Sequence, residues 1–402
     1  MDTTAPGTDV PTDLTTAPEI APDGGAALLA WLGKMRADTP VWQDGTGAWH
    51  VFRSADVRRV STDAQLFSSD TTRLTSPGDQ APPGTLLVID PPEHRKLRRL
   101  VSQAFTPKVV ADLAPRITEV TRELLAAVEP DATEFDLVDV LAYPLPVIVI
   151  AELLGVPSAD RALFRRWAEA LMALQVDDPS TGEQLAVAIE EMEAYLNAQI
   201  RDRRARPRED LLTRLVESSI DGERLTDEEV GNFTALLLLA GHVTTTMLLG
   251  NVLLCLEDAP GGYERVRADP SAVEPLLEEV LRLRPPFPRV VRVTTADAEV
   301  AGTVIPADSL VWAWVVSANH DEREFPDPER FDVRRKPNTH AAFGHGIHFC
   351  LGAPLARLEG RIALDLLFER FEHLRVAPGA QVPFHAGGVY GVQRLPVTTR
   401  PR

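Results

Sequence analysis

Apolar residues recur at three- and four-residue steps beyond position 350. Leu351, Leu355, Leu358, Ile362, Leu366 and Leu367 share one face, which predicts a helix buried along that side. Pro354 suits its first turn, where a missing N–H costs nothing. A second run, residues 233–256, is nearly all apolar and long enough to span a bilayer. It is interrupted, however, by Gly241, His242, Thr244, Thr245, Thr246 and Asn251. It also opens with a capping box, Thr226-x-x-Glu229, and an acidic first turn of Asp227 and Glu228. The pattern ends at Ala259-Pro260-Gly261-Gly262. These features predict a buried helix of about 30 residues, roughly 45 Å long, crossing the middle of a large protein.

Shorter patterns fill the rest. Residues 49–52 read as a short strand, and residues 54–61 as a helix capped by Ser54. Residues 68–85 have loop composition, at a length that is often functional. Residues 90–101 start a basic helix on which His94 and Arg98, four apart, share a face. Helical patterning over 112–154 stops at Leu153-Leu154-Gly155-Val156-Pro157, and two helical segments follow at 158–174 and 181–201. Glu279 and Arg282 are neighbours on a helix, and residues 387–397 read as a terminal hairpin.

The chemistry collects ahead of the first helix. Phe343-Gly344-His345-Gly346-Ile347-His348-Phe349-Cys350-Leu351-Gly352-Ala353-Pro354-Leu355-Ala356-Arg357 sets one Cys among glycines at a helix N-terminus. Unpaired N–H groups and the dipole favour negative charge there. A thiol that ordinarily titrates near ~8.5 is pulled toward thiolate. The glycines let the backbone run close to something large and flat, and a single thiolate is the axial ligand of one haem class. A buried structural Cys is the competing reading.

Bulk properties narrow the classes. At 402 residues the chain could hold two domains or one unit built around a cofactor. A net charge of -18 argues against a nucleic-acid partner. Two Cys leave no disulfide framework and indicate a reducing, cytoplasmic interior. Residues 1–22, rich in Thr, Pro, Asp and Ala, read as a disordered lead without a targeting pattern or membrane anchor.

The loop Phe-Gly-x-Gly-x-His-x-Cys-Leu-Gly-x-x-Leu-Ala-Arg resembles the haem-binding loop of the cytochrome P450 monooxygenases. That resemblance implies a mainly α fold over residues 23–402, one triangular helical domain with small β-sheets around a buried haem b. Cys350 is then the metal ligand, and Phe343, Gly344 and Gly352 cradle the cofactor. His94, Arg98, Arg292 and His348 match the groups that neutralise the haem propionates. Leu238-Leu239-Ala240-Gly241-His242-Val243-Thr244-Thr245 resembles the family's oxygen-activation motif. Ala240 and Gly241 would leave room for O2, and Thr244 would help deliver a proton to it. Val243 stands where most relatives carry an acid, so protons would arrive by ordered water through Thr244 or from a substrate group. His242 lies about 100° further round the helix. Glu279 and Arg282, with Arg330 completing the network, match the family's fold-locking ion pairs, and His320 replaces a commoner Arg.

The resemblance also suggests substrate contacts at Leu87, Val88, Leu237, Val243, Phe287, Val290, Val291, Val389 and Tyr390. The chain carries no fused flavin or nicotinamide module, so NAD(P)H-derived electrons would come through a ferredoxin reductase and a ferredoxin. Arg95, Lys96, Arg98 and Arg99 could steer that acidic partner. The chain looks like the actinobacterial enzymes that hydroxylate or epoxidise macrolides and other polyketides. A peroxide-driven or oxidative-coupling haem enzyme, or a non-catalytic haem-binding recruitment protein, stays open as an alternative.

Overall fold

The computed structural model describes residues 17–21, 23–75, 83–172, 179–220, 222–385 and 388–401. The chain starts with α1 (Ala26–Asp38), β1 (Val41–Gln43), β2 (Trp49–Val51), α2 (Ser54–Thr62) and β3 (Phe67–Ser68). There follow α3 (Glu93–Ala104), α4 (Pro107–Asp112), α5 (Ala114–Ala126), β4 (Glu134–Asp136) and α6 (Pro144–Leu154). Next come α7 (Arg161–Met172), α8 (Pro179–Ala205), α9 (Leu211–Glu217) and the small pair β5 (Ser219–Ile220) and β6 (Glu223–Arg224). The apolar run then forms α10 (Asp227–Glu257), followed by α11 (Gly262–Ala268) and α12 (Val273–Leu283). Four short strands come after it: β7 (Val290–Thr294), β8 (Ala298–Val300), β9 (Thr303–Ile305) and β10 (Leu310–Ala313). The chain closes with α13 (Val315–Asn319), α14 (Ala353–Arg370), β11 (Phe371–Val376) and β12 (Pro396–Pro401).

Helix α10 organises the core. Its capping box is present in both directions, Glu229 N to Thr226 Oγ1 at 3.1 Å and Thr226 N to Glu229 Oε2 at 2.7 Å. The helix packs against α6, α8, α12 and α14. By length and composition it could cross a membrane, but 67% of its most apolar window is buried inside the protein. An interior that apolar suits a helix surrounded by others. The main sheet runs β1-β2-β10-β7-β3. The parallel pair β2–β10 and the antiparallel pair β10–β7, with Val311 opposite Arg292, carry the N-terminal hairpin to the strand bearing Arg292.

Several boundaries differ from the sequence reading. Ser54 is the first residue of α2, not its cap; its N–H donates to Asp321 Oδ2 at 2.8 Å. Residues 1–16 lie outside the described residues, but Ile20, inside the expected lead, is buried with Leu28, Trp31 and Tyr390. The segment between α7 and α8, residues 173–178, also lies outside them. The terminal hairpin is displaced: Phe384 bridges Val392, and β12 pairs instead with β11 and β4.

The Glu279–Arg282 pair is fully buried and bidentate, at 2.9 Å for both bonds. Arg330 does not complete it. Arg335 does, its Nε donating to Glu279 Oε1 at 3.1 Å, while Arg330 offers Arg282 only its carbonyl at 3.2 Å. Asn338 Nδ2 and the Asp332 N–H fill the remaining acceptor sites on Glu279. His320 bridges Leu283 O and Glu329, joining α12 to the same loop.

Candidate active site

The cysteine loop is shaped by its own backbone. The Cys350 N–H donates to Phe343 O at 2.9 Å, folding the loop back on itself ahead of α14. Gly344 and Gly346 have φ of 69° and 70°, the left-handed region where a side chain is strained. At Gly346 a Cβ would also sit 3.0 Å from Ser61 O, so the loop lies directly on α2. Arg357 stacks over Phe343 at 4.4 Å and pairs with Glu278 at 2.7 Å, bracing the loop from α14. Gly352 leads into that helix.

Position at a helix start does not by itself make Cys350 a thiolate. Burial pushes the thiol up, and this outweighs the Gly352 and Ala353 N–H groups and the Arg98 and Arg357 charges that pull it down. A cation bonded to sulfur would reverse that balance, because metal coordination deprotonates a thiol outright.

Beside the loop, donors gather near Asp90, whose carboxylate accepts from Ser68 and Ser69. Helix α3 supplies His94 and Arg98, and β7 supplies Arg292. Arg98 Nη2 donates to Phe349 O at 2.8 Å, and Arg292 Nη1 to Val291 O at 2.7 Å. Among the described residues neither guanidinium forms a salt bridge with a carboxylate, and burial disfavours the charge on both. His94 is buried with neither ring nitrogen partnered. Its ring lies 4.3 Å from that of His348, whose Nε2 is 2.8 Å from Ser69 Oγ. Burial, with the charges of Arg292, His94 and Arg98, lowers His348 to about 3. Such a cluster repels itself, and Asp90, which acts on His94 and Arg292, offsets that only in part. The residues fit haem: two propionates would satisfy these donors, and Cys350 would supply the ligand.

Helix α10 presents the other wall. Ala240 is exposed and Thr244 half-exposed in mid-helix, although Val243, Thr245 and Thr246 beside them are buried. Open space therefore runs along that face. The Thr244 hydroxyl donates to Ala240 O at 3.0 Å, and Thr245 and Thr246 bond back similarly to Gly241 O and His242 O. His242 is buried, with Nδ1 2.6 Å from Leu238 O, and burial lowers it to about 4.

Gly241 faces elsewhere than expected. A Cβ there would lie 3.1 Å from Ile150 on α6, so its missing bulk lets two helices approach rather than widening an oxygen site. Gly241→Ala alone is expected to cost about 0–2 kcal/mol, overpacking offsetting helix propensity. In an Ile150→Ala background the same change should stabilise by about 1 kcal/mol. Denaturant unfolding of the four proteins checks the change of sign.

The suggested substrate contacts scatter. Leu87 and Phe287 are exposed, while Val88, Leu237, Val290 and Val291 are half-buried. Val243 and Val389 pack into one apolar cluster with Ala168 and Met247. Tyr390 turns away: its hydroxyl donates to Gly24 O at 2.9 Å, beside α1. Of the basic residues on α3, Lys96 is engaged by Glu223, and Arg95 is exposed.

Ser69, Asp90 and Glu359 escaped the sequence reading. Asp90 accepts from Ser69 N at 2.9 Å and so holds the partner of His348. Glu359 is an acid on the apolar stripe of α14, four residues after Leu355, and that position was the available signal.

The cytochrome P450 family model matches residues 40–389. Erythromycin C-12 hydroxylase of Saccharopolyspora erythraea is 51% identical over 378 residues, covering 92% of this chain and 94% of the hydroxylase. Cyclomarin C epoxidase CymV of Salinispora arenicola is 43% identical over 394 residues, covering 96% and 99%. The ligand-free structure of cytochrome P450 TbtJ1 matches with a TM-score of 0.89 and 53% identity, over 96% of this chain and 100% of that one. Likeness of this depth, running the length of the chains and through the cysteine loop, makes this protein a member of the cytochrome P450 family and a monooxygenase.

Proposed function

We propose that the chain oxidises a bulky secondary metabolite of the macrolide or polyketide kind, by hydroxylation or epoxidation. Cys350 would supply the thiolate that holds haem, and His94, Arg98, Arg292 and His348 would hold its propionates. The observation that carries this is the set of buried donors beside the cysteine loop, with both His94 ring nitrogens unpartnered and the charges of Arg98 and Arg292 disfavoured by burial. Haem b, when bound, supplies the centre at which one atom of O2 enters the substrate and the other becomes water. NAD(P)H-derived electrons arrive through a ferredoxin reductase and a ferredoxin in the cytoplasm. The substrate class is supported by relatives named for erythromycin and cyclomarin C.

The protein's own task is to place substrate along the Ala240–Thr244 face and to move protons there. Thr244 is the expected hydroxyl on that route, now donating to Ala240 O. Thr244→Ala is expected to lower product per electron consumed at least ~10-fold, a conservative bound beside the roughly 100- to 10,000-fold that a positioned proton-transfer group contributes. Equal coupling in the variant would remove Thr244 from the route. A binding screen by Soret shift across macrolides, other polyketides, terpenes, peptides and fatty acids tests the substrate class. A shift confined to fatty acids would overturn it. Val243 favours one second reading, oxidation driven by hydrogen peroxide, which turnover with peroxide and failure with ferredoxin would establish.

A further inference from the structure

Arg203 and Arg282, both buried, pair with Asp210 at 2.8 Å and Glu279 at 2.9 Å. Arg98 and Arg292 donate to backbone carbonyls and belong to the propionate group. Arg289 has neither kind of partner. Among the described residues its N–H groups meet no acceptor and no carboxylate lies within ion-pair distance, although burial disfavours its charge. Its guanidinium lies instead over the rings of Trp312 and Trp314, 4.1 Å and 5.0 Å from their centroids. Contact with ring faces offsets only part of the cost of burying a charge, and it satisfies none of the N–H donors.

The aromatic shelf beneath it is fixed. Trp314 Nε1 donates to His50 Nδ1 at 3.0 Å, and His50 Nε2 donates to Asp44 Oδ2 at 3.0 Å. Asp44 is the acid that acts on the Arg289 charge. It also accepts from Thr46 Oγ1 at 2.6 Å, Thr46 N at 2.9 Å and Ala48 N at 3.0 Å, so its carboxylate is engaged within its own turn. The segment carrying Arg289 is held as well. The Tyr390 N–H donates to Pro286 O at 2.8 Å, and the Val316 N–H to Pro288 O at 3.0 Å. Val389, next to Tyr390, packs with Val243 of α10, one residue before Thr244. Three residues beyond Arg289, Arg292 joins the propionate donors. The segment is thus tied at one end to the α10 face assigned to substrate and at the other to the haem site, with Phe287 on it 45% exposed.

We propose that Arg289 receives a carboxylate of the substrate, its N–H edge bonding both oxygens while Trp312 and Trp314 hold its face. This rests on the reading of the chain as a monooxygenase of bulky secondary metabolites, and narrows that class to acidic members, open-chain polyketide acids among them. As with the propionates, a buried cation lacking an acid calls for an oxyanion from outside the chain. The two propionates are already matched by His94, Arg98, Arg292 and His348, so a third oxyanion falls to the substrate. A neutral macrolactone would offer a carbonyl contact and leave the charge uncompensated. Arg289 meets the substrate away from the bond that reacts, and so determines specificity and orientation.

Soret-shift titrations of the haem-loaded full chain test this on matched pairs. One pair is the hydroxy acid made by hydrolysing a macrolactone and its methyl ester; the other is dodecanoate and methyl dodecanoate. In wild type at least one acid should bind ~10-fold or more tightly than its ester, the worth of about one charge-assisted hydrogen bond. Arg289→Gln should bring acid and ester within about twofold of each other, with ester affinity as in wild type. Arg289→Lys, which keeps the charge but not the planar fork, should retain a smaller acid preference. Absence of an acid preference in both wild-type pairs, or a preference that survives Arg289→Gln, overturns the proposal. The wild-type comparison needs no variant. If circular dichroism or the reduced carbonyl spectrum shows that Arg289→Gln has not folded, Arg289→Lys decides, and a preference equal to that of wild type overturns the site. Macrolactones that shift the band while no acid does would sink this proposal and leave the proposed function standing. A response confined to the dodecanoate pair would sink the polyketide reading and leave the carboxylate site.

Discussion

Cys350→Ala is expected to leave a folded protein that forms no product above background. The loop around the sulfur does not depend on the side chain: the Cys350 N–H still reaches Phe343 O, and the glycines keep their left-handed turns. What disappears is the single soft ligand toward which the Gly352 and Ala353 N–H groups are aimed. Cys255, the other cysteine, is buried within α10, and burial raises its thiol to about 11, so it offers no substitute. Circular dichroism should match wild type, whereas the reduced carbonyl spectrum should lose its thiolate character. A variant that kept that spectrum, or kept turning over, would remove Cys350 from the proposed role.

The largest stability loss is expected at the buried lock. Arg282→Ala should cost about 3–5 kcal/mol, the usual penalty for stranding one partner of a buried ion pair. The residue loses its bidentate hold on Glu279 and leaves the carbonyls of Asn319 and Pro328 without their donor. Replacing both Glu279 and Arg282 by leucine should also destabilise, since it strands the buried guanidinium of Arg335 that pairs with Glu279. Arg335→Ala should weaken the same network, whereas Arg330→Ala should fall within about 0.5 kcal/mol, because only its backbone takes part. Arg361→Ala, at a surface pair 3.6 Å from Glu274, is the exposed control and should be equally mild. Chemical unfolding of the five variants ranks them. An Arg330→Ala cost above that of Arg335→Ala would refute the assignment.

Local rules carried much of this. The span of α10 followed from a capping box and a Gly-Gly stop, both settled by residues within a few positions of each other. The stripe of α14 and the shared face of His94 and Arg98 followed from helical period alone. The cysteine loop was legible for the same reason: its glycines answer a backbone need that neighbouring residues create.

Other features depended on partners remote in the chain. Helical period indicates that one side of α10 is apolar, but not that Gly241 meets Ile150 while Ala240 meets open space. Tyr390 could have faced the cofactor side; its hydroxyl instead finds Gly24, 366 residues away. Arg330 and Arg335 are equivalent in composition, and only the path of the backbone between them decides which guanidinium reaches Glu279. The ionisation of Cys350 and Glu359 belongs with these, because desolvation is set by everything packed around a group and has no counterpart in a linear pattern. Periodicity and capping therefore determined the elements and the chemistry they carry. Which side chains meet, and which keep their protons, was decided by burial between segments that only folding brings together.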